Sequence, residues 1–276
     1  MNEKAPLLVR ILLVLSRAMS ALWRGFVMIR DETLWAWTSP DGRERTNRAI
    51  YARLGTYFPG GATFEAGLFD WEREALTHFP PSGRILLGAA GGGRELAALC
   101  QMGYDVVAFE ATPALAQAAR ALASEYPGSQ VITASFADVV RAAHDGSGPL
   151  APHLGGEFQA IILGWTSFSY VWREQRDALL KALHMLAPRA PVLLSYLEAD
   201  PDSDGKLAKF RSGFRRLLRF SGAPALAEPG DGFQPWMGFY QTLTPEEVRS
   251  LACRTGYQAV FVKSSGHPHA LLVPYP

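Results

Sequence analysis

The chain has 276 residues, 48% of them hydrophobic and 19% charged, a balance that suits one large or two small folded domains and excludes long disorder. A net charge of +1 supplies no overall field for nucleic acid. Cys100 and Cys253 are too few for a disulfide framework or a thiolate zinc site, and they suit a cytoplasmic, reducing setting.

Residues 5–29 are strongly apolar, but Arg10, Arg17 and Arg24 interrupt them. No uninterrupted run approaches the ~20 residues needed to span a bilayer, so no transmembrane segment is expected. Arg10 splits the apolar region and no small-x-small cleavage pattern follows, which argues against a secretory signal. At ~100° per residue, Arg10, Ser16, Arg17, Ser20 and Arg24 share one arc of a helix. The remainder, including Leu12, Leu15, Met19, Leu22, Trp23 and Phe26, is apolar. Such a face needs cover from its own domain, a partner chain or a membrane surface; packing on protein, including a homo-oligomer through this helix, is the simpler expectation.

Residues 51–72 are rich in Gly, Tyr and Phe, and 1–83 read together as an N-terminal extension. From residue 84 onward strands and helices alternate. Strands are expected at 84–88, 105–110, 130–135, 158–164 and 191–197, with helices at 93–102, 113–126 and 174–186. Uniformly apolar strands joined through helices belong to a parallel sheet covered on both faces. Residues 198–242 form an insert, followed by a helix at 243–256 that starts at Thr244-Pro245-Glu246-Glu247 and stops at Gly256. Segments 257–263 and 269–275, joined by a Ser-Ser-Gly-His-Pro turn, read as a terminal hairpin. The expected fold is therefore doubly wound α/β, a mostly parallel seven-stranded sheet with an antiparallel C-terminal hairpin, spanning 84–276.

The strongest local signal is the run from Arg84 to Glu95, where a strand enters a turn containing Gly88, Ala89, Ala90, Gly91, Gly92 and Gly93 and then a helix. Small residues let a ligand approach the backbone, and the helix N-terminus offers free amides. Glu110 ends the next strand, where a carboxylate can accept both hydroxyls of an adenosine ribose. The two elements together point to adenosine binding. The G-x-G-x-x-G/A spacing of dehydrogenases is missing, because Gly91-x-Gly93 is followed by Arg94, Glu95 and Leu96.

On these residues the sequence resembles the class I S-adenosylmethionine-dependent methyltransferases over 80–197 and 243–275. The resemblance implies a Rossmann-like methyltransferase fold, S-adenosylmethionine as cofactor and S-adenosylhomocysteine as product. It assigns the cofactor to Gly88, Ala89, Ala90, Gly92, Glu110 and Ala111, with Ser135 and Phe136 beside adenine and Gly164 and Trp165 near the sulfonium. Leu86 stands where the family often has an acidic residue, and Glu95, in the first turn of the next helix, is the expected substitute.

After the fourth strand the chain reads Leu-Gly-Trp-Thr-Ser-Phe, not the Asn/Asp-Pro-Pro-aromatic motif of relatives that methylate amide or nucleobase nitrogens. The acceptor is therefore expected to be a small molecule, methylated at oxygen or nitrogen, with a biosynthetic role. Aromatics in two segments are candidate lid residues: Tyr51, Tyr57, Phe58, Phe64, Phe69 and Trp71, then Phe233, Trp236, Phe239 and Tyr240. Tyr51, Tyr57, Tyr170 and Tyr240 are the candidate proton-abstracting groups. The basic run from Lys206 to Arg219 reads as a solvated helix face with an apolar stripe of Leu207, Phe210, Phe214 and Leu217. His267-Pro268-His269 lacks a third ligand, so no metal is expected. Two alternatives remain open: an enzyme that cyclises the aminobutyryl chain of S-adenosylmethionine and releases methylthioadenosine, and a non-catalytic binding module that docks through 7–29.

Overall fold

A computed structural model describes residues 6–199, 208–261 and 267–276. In chain order the helices are α1 (Leu7–Trp37), α2 (Pro40–Tyr51), α3 (Ala62–Glu65), α4 (Asp70–Leu76), α5 (Arg94–Gln101), α6 (Pro113–Ala123), α7 (Phe136–Asp145), α8 (Arg176–Leu186), α9 (Ala208–Phe220) and α10 (Pro245–Arg254). The strands are β1 (Gly83–Gly88), β2 (Tyr104–Glu110), β3 (Gln130–Thr133), β4 (Ala160–Leu163), β5 (Val192–Ser195), β6 (Asp231–Gln234), β7 (Gly238–Gln241), β8 (Tyr257–Val260) and β9 (His269–Pro274). The chain divides into two compact units: Met1–Arg43 with Asp200–Phe233, and Glu44–Ala199 with Gln234–Pro276.

The larger unit is built on a seven-stranded sheet of order β3-β2-β1-β4-β5-β9-β8. β1 to β5 run parallel, and β9 is antiparallel to both β5 and β8. This is the expected doubly wound α/β fold, a mostly parallel seven-stranded sheet with an antiparallel C-terminal hairpin. The turn expected within that hairpin lies largely outside the described residues. Both faces of the sheet are covered, as the apolar strands require. Leu86, Val107, Ile161 and Leu194 point to one core layer, which includes α7, α8 and α10. Ile85, Leu87, Val106 and Ile162 point to the other.

That second layer also contains Trp71, Ala75 and Leu76 of α4, together with Phe79. These side chains explain why the units divide near residue 44 and not after residue 83, where the sequence put the end of an extension. The helix α7 was not foreseen, although Ser135 and Asp138 form a capping box at its start. α10 begins where expected, with the Thr244 hydroxyl accepting from the Glu247 amide at 3.1 Å.

In the smaller unit the C-terminal third of α1 meets α9. The Glu32 carboxylate, 3% exposed, accepts from Arg215 Nε at 2.7 Å and its terminal nitrogen at 2.8 Å. Arg211 Nε lies 3.1 Å from the same carboxylate. The Trp35 indole N–H donates to the Gly232 carbonyl at 3.1 Å, and the Arg43 guanidinium stacks 3.9 Å from the Trp35 ring. α9 was expected to present a solvated basic face over an apolar stripe. Instead Arg211 and Arg215 turn toward Glu32 and Leu218 is buried, while Phe210 and Leu217 point to solvent. Lys206 and Leu207 lie outside the described residues.

The first part of α1, residues 6–24, is exposed on every side. The expectation of no transmembrane segment rested on uninterrupted run length. As a 31-residue helix, α1 is long and apolar enough to cross a bilayer by length and composition, with an 18-residue window of mean hydropathy 1.5.

Candidate functional site

Strand order reverses at β1, which has β2 on one side and β4 on the other. Open α/β sheets place ligands at such a switch point, outside the C-terminal strand ends. Gly88 is in register with both Phe109 and Leu163, so the tips of β1, β2 and β4 finish level. A cavity of about 190 Å³ opens there, lined by residues between the end of β1 and the start of α8, by Tyr57, Thr63 and Phe64 and, on the other side, from α2.

The glycine loop is held from two directions. The Glu110 carboxylate accepts from the Gly91 amide at 3.0 Å through one oxygen and from the Thr112 amide at 2.7 Å through the other. A carboxylate has about four lone-pair positions, so Glu110 retains capacity for a ligand's hydroxyls. Burial pushes its carboxyl above the ordinary value, opposed by the amides of Thr112 and Gly91. From the other side, the Tyr57 carbonyl rests against Gly92 where any Cβ would collide with it.

Two non-glycine residues among those described have positive φ, Ala89 at 54° and Thr166 at 58°, and both line the cavity. Left-handed backbone is disfavoured for a β-branched residue and costs about 1–3 kcal/mol. Such strain clusters at functional sites, and here it marks the tips of the two strands at the switch point. The Thr166 amide is fixed by donation to Ser195 Oγ at 2.8 Å.

At the start of α5, Arg94 bridges two buried carboxylates. It lies 2.6 Å from Glu72 Oε1 and 2.6 Å from Glu95 Oε1. Its guanidinium also stacks 4.2 Å from the Phe69 ring, and Phe69 packs edge-on against Trp165 at 4.9 Å. Desolvation pushes the Glu72 carboxyl up, with Arg94 working in the opposite direction. Glu44, Arg48, Arg94, Glu95 and Glu110 line the cavity; with Glu72 added, four carboxylates face two guanidiniums. The site thus carries an excess of negative charge suited to a cation.

The wall opposite the glycine loop is aromatic. Tyr51 donates to the Tyr170 hydroxyl at 2.7 Å, and Tyr57 packs on Tyr51 with ring centroids 5.5 Å apart. Burial pushes the Tyr51, Tyr57 and Tyr170 phenols above their ordinary value. They remain neutral donors and acceptors at physiological pH, so proton abstraction by a phenolate is disfavoured. Phe109 and Phe136 meet edge-on at 5.5 Å on the β2–β3 side.

Of the expected cofactor residues, Ala89, Ala90, Gly92, Glu95, Glu110, Ala111, Ser135, Phe136 and Trp165 line this one cavity. Gly88 and Gly164 do not. The Gly164 amide donates to the Gly88 carbonyl at 2.7 Å, and a Cβ on Gly164 would press on the Ala89 carbonyl, so these glycines let β1 and β4 close on each other. The Ser135 hydroxyl is committed to Asp138 at 2.8 Å as the cap of α7.

Tyr51, Tyr57 and Tyr170 reach the cavity, whereas Tyr240 is not among its lining residues. Of the second expected lid segment, residues 198–199 and 234–242 belong to this unit, and none of them lines the cavity. Phe239 is buried, its amide and carbonyl held by Asn47 at 2.7 and 2.8 Å, and Trp236 points to solvent. Trp71 is core, stacked 4.8 Å from the His269 ring. No group of three or more metal-ligating side chains occurs among the described residues.

Sequence reasoning missed Glu44, Asn47 and Arg48, which line the cavity from α2 together with Tyr51. Their i, i+3, i+4, i+7 spacing is one helix face, a legible signal in a polar stretch. Two buried polar atoms on the wall, Trp165 Nε1 and Ser167 Oγ, have no hydrogen-bond partner. Orphaned polar groups of this kind fit a bound ligand that would satisfy them.

No family model matches the chain, and no curated protein is a significant sequence match. Among solved structures it is similar to a methyltransferase from Bacteroides fragilis in complex with S-adenosyl-L-homocysteine, at 17% identity and a TM-score of 0.48, over 75% of this chain and 78% of that one. It is similar to the glycopeptide N-methyltransferase MtfA at 17% identity and a TM-score of 0.48, over 72% of this chain and 92% of that one. A TehB-like methyltransferase from Corynebacterium glutamicum matches at 13% identity and a TM-score of 0.44, over 74% and 86%.

Proposed function

We propose that this chain is an S-adenosylmethionine-dependent methyltransferase acting on a small-molecule acceptor at oxygen or nitrogen. The observation that carries the reading is Glu110 tied to the Gly91 amide at the switch point, inside a cavity with surplus negative charge. When bound, S-adenosylmethionine supplies an electrophilic methyl group on a sulfonium and leaves as S-adenosylhomocysteine.

This chain's residues would hold it as follows. Glu110 accepts from the ribose hydroxyls. Phe136 offers a face to adenine and Trp165 one to the sulfonium. Glu95 complements the methionine ammonium in place of the acid missing at Leu86, which is fully buried in the core. Tyr51, Tyr57, Phe64 and Trp172 form the remaining wall and favour a small apolar or aromatic acceptor. Tyr170, already accepting from Tyr51, keeps its own proton to orient that acceptor. Alignment alone can supply about 7–11 kcal/mol of barrier lowering, so no fixed base is required. A biosynthetic role in the cytosol belongs to the same proposal, in keeping with the small cavity and the free Cys100 and Cys253.

The test is calorimetric titration of the protein and of Glu110→Ala with S-adenosylmethionine, S-adenosylhomocysteine and NAD. Micromolar binding of both adenosyl ligands, lost in the variant, is the expected result. Preference for NAD, or no binding, would overturn the reading. Mass spectrometry of turnover products separates methyl transfer from aminobutyryl cyclisation, which would release methylthioadenosine.

A further inference from the structure

We propose that the smaller unit binds the surface of an anionic lipid bilayer, with the first part of α1 lying in the plane of the interface. From residue 6 to residue 24 every position of the chain is exposed, a free helical length of roughly 27 Å at 1.5 Å per residue. Its apolar arc of Leu8, Leu12, Leu15, Met19, Leu22 and Phe26 lies open to solvent, Leu22 being 75% and Met19 69% exposed. Water does not favour that arrangement, so something covers it.

The charge pattern identifies the cover. Arg10, Arg17 and Arg24 recur every seven residues, which at ~100° per residue places them in a line that drifts only ~20° per step. The line lies diametrically opposite the apolar arc. No acidic residue occurs between Leu7 and Arg30 to neutralise it. A second copy of the helix would bring three more arginines and no acid, whereas helix pairs set by flanking charges use both signs. A spanning helix would carry Arg17 near the bilayer centre, with a cost of roughly 70- to 400-fold in insertion. An in-plane helix instead puts the apolar arc among acyl chains and the arginine line among headgroups.

The second element of the same unit repeats this chemistry. α9 exposes Phe210, Leu217 and Phe220 beside the exposed Arg216 and Arg219. The Glu32 ion pairs with Arg211 and Arg215 fasten α9 to the C-terminal third of α1 and leave the free part of α1 untouched.

The experiment is co-sedimentation of the full chain with phosphatidylcholine vesicles, with and without 30 mol% phosphatidylglycerol. The chain is expected to bind the anionic vesicles at least tenfold more tightly. The triple variant Arg10→Gln, Arg17→Gln, Arg24→Gln is expected to lose on the order of 100-fold, from about fivefold per arginine. These side chains are exposed, so an unchanged melting temperature shows that a loss is not unfolding. Brominated lipids then report the depth of Trp23, read as the difference from Trp23→Phe. Quenching is expected from bromines near the headgroups; maximal quenching from bromines at the bilayer centre means a spanning helix and overturns the proposal. Equal binding to neutral and anionic vesicles overturns it too. So does a failure to bind vesicles together with a dimer in sedimentation equilibrium that deleting residues 7–24 abolishes, which would make the occupant a second copy.

Discussion

The hydroxyl of Tyr51 donates to that of Tyr170 at 2.7 Å, joining α2 to the segment after β4 across the candidate acceptor wall. Replacing Tyr170 with Phe strands a buried Tyr51 hydroxyl and should cost about 1–3 kcal/mol of stability. Methyl transfer should fall without any change in the shape of its pH profile below pH 9, because burial keeps both phenols protonated there. A new alkaline limb in the wild-type profile that disappears in Tyr170→Phe would show that the phenol ionises during turnover.

Arg94 neutralises two carboxylates at once, so its loss should be severe. Arg94→Met leaves Glu72 and Glu95 buried without their cation, and a drop of about 3–5 kcal/mol is expected in denaturant unfolding. Glu95→Gln keeps the Glu72 pair and should chiefly weaken S-adenosylmethionine binding. Unchanged cofactor affinity in Glu95→Gln would remove Glu95 from the methionine end of the site.

Gly92→Ala sets a methyl group against the Tyr57 carbonyl. Since the clash is with backbone, the glycine loop must move, at a cost of about 1–3 kcal/mol. Cofactor affinity should fall with it, read by calorimetry beside a thermal melt. Retained affinity at full stability would mean that residues 55–58 yield easily.

Two pH effects follow from burial. Glu110 is pushed up, so its carboxylate gains a proton earlier on acidification than an ordinary glutamate, and cofactor affinity should weaken between neutrality and pH 4.5. His267 is pushed down to about 4, chiefly by burial. The unfolded chain therefore takes up that proton first. Native stability is complete above pH 6.5 and declines as pH falls toward 4, by about 1–2 kcal/mol after solvent screening of a partly exposed ring. Melting temperatures of wild type and His267→Asn across this window should converge at low pH.

The parallel strands and the helices between them were legible because their apolar runs are continuous and their breaks are sharp, as from Phe109 through Pro113. The glycine loop and Glu110 were legible for the same local reason. Pairings distant in sequence were not. Nothing near Gly164 announces that its amide will meet the Gly88 carbonyl, and a glycine needed for packing looks the same in sequence as one needed by a ligand. Phe233 and Phe239 resembled Tyr51 and Phe64 in composition alone. Arg30 engages Phe233 within the smaller unit from 203 residues away, and Asn47, 192 residues from Phe239, holds that residue outside the cavity lining.

The Tyr57 carbonyl beneath Gly92 also bears on how this chain can be cut. A fragment starting at Arg84 would keep every strand of the sheet, yet its glycine loop would lose its floor and its cavity would lose Glu44, Tyr51 and Tyr57. The smallest piece worth expressing begins ahead of α2, and a graft of the nucleotide platform into another scaffold must carry residues 40–83 along with it.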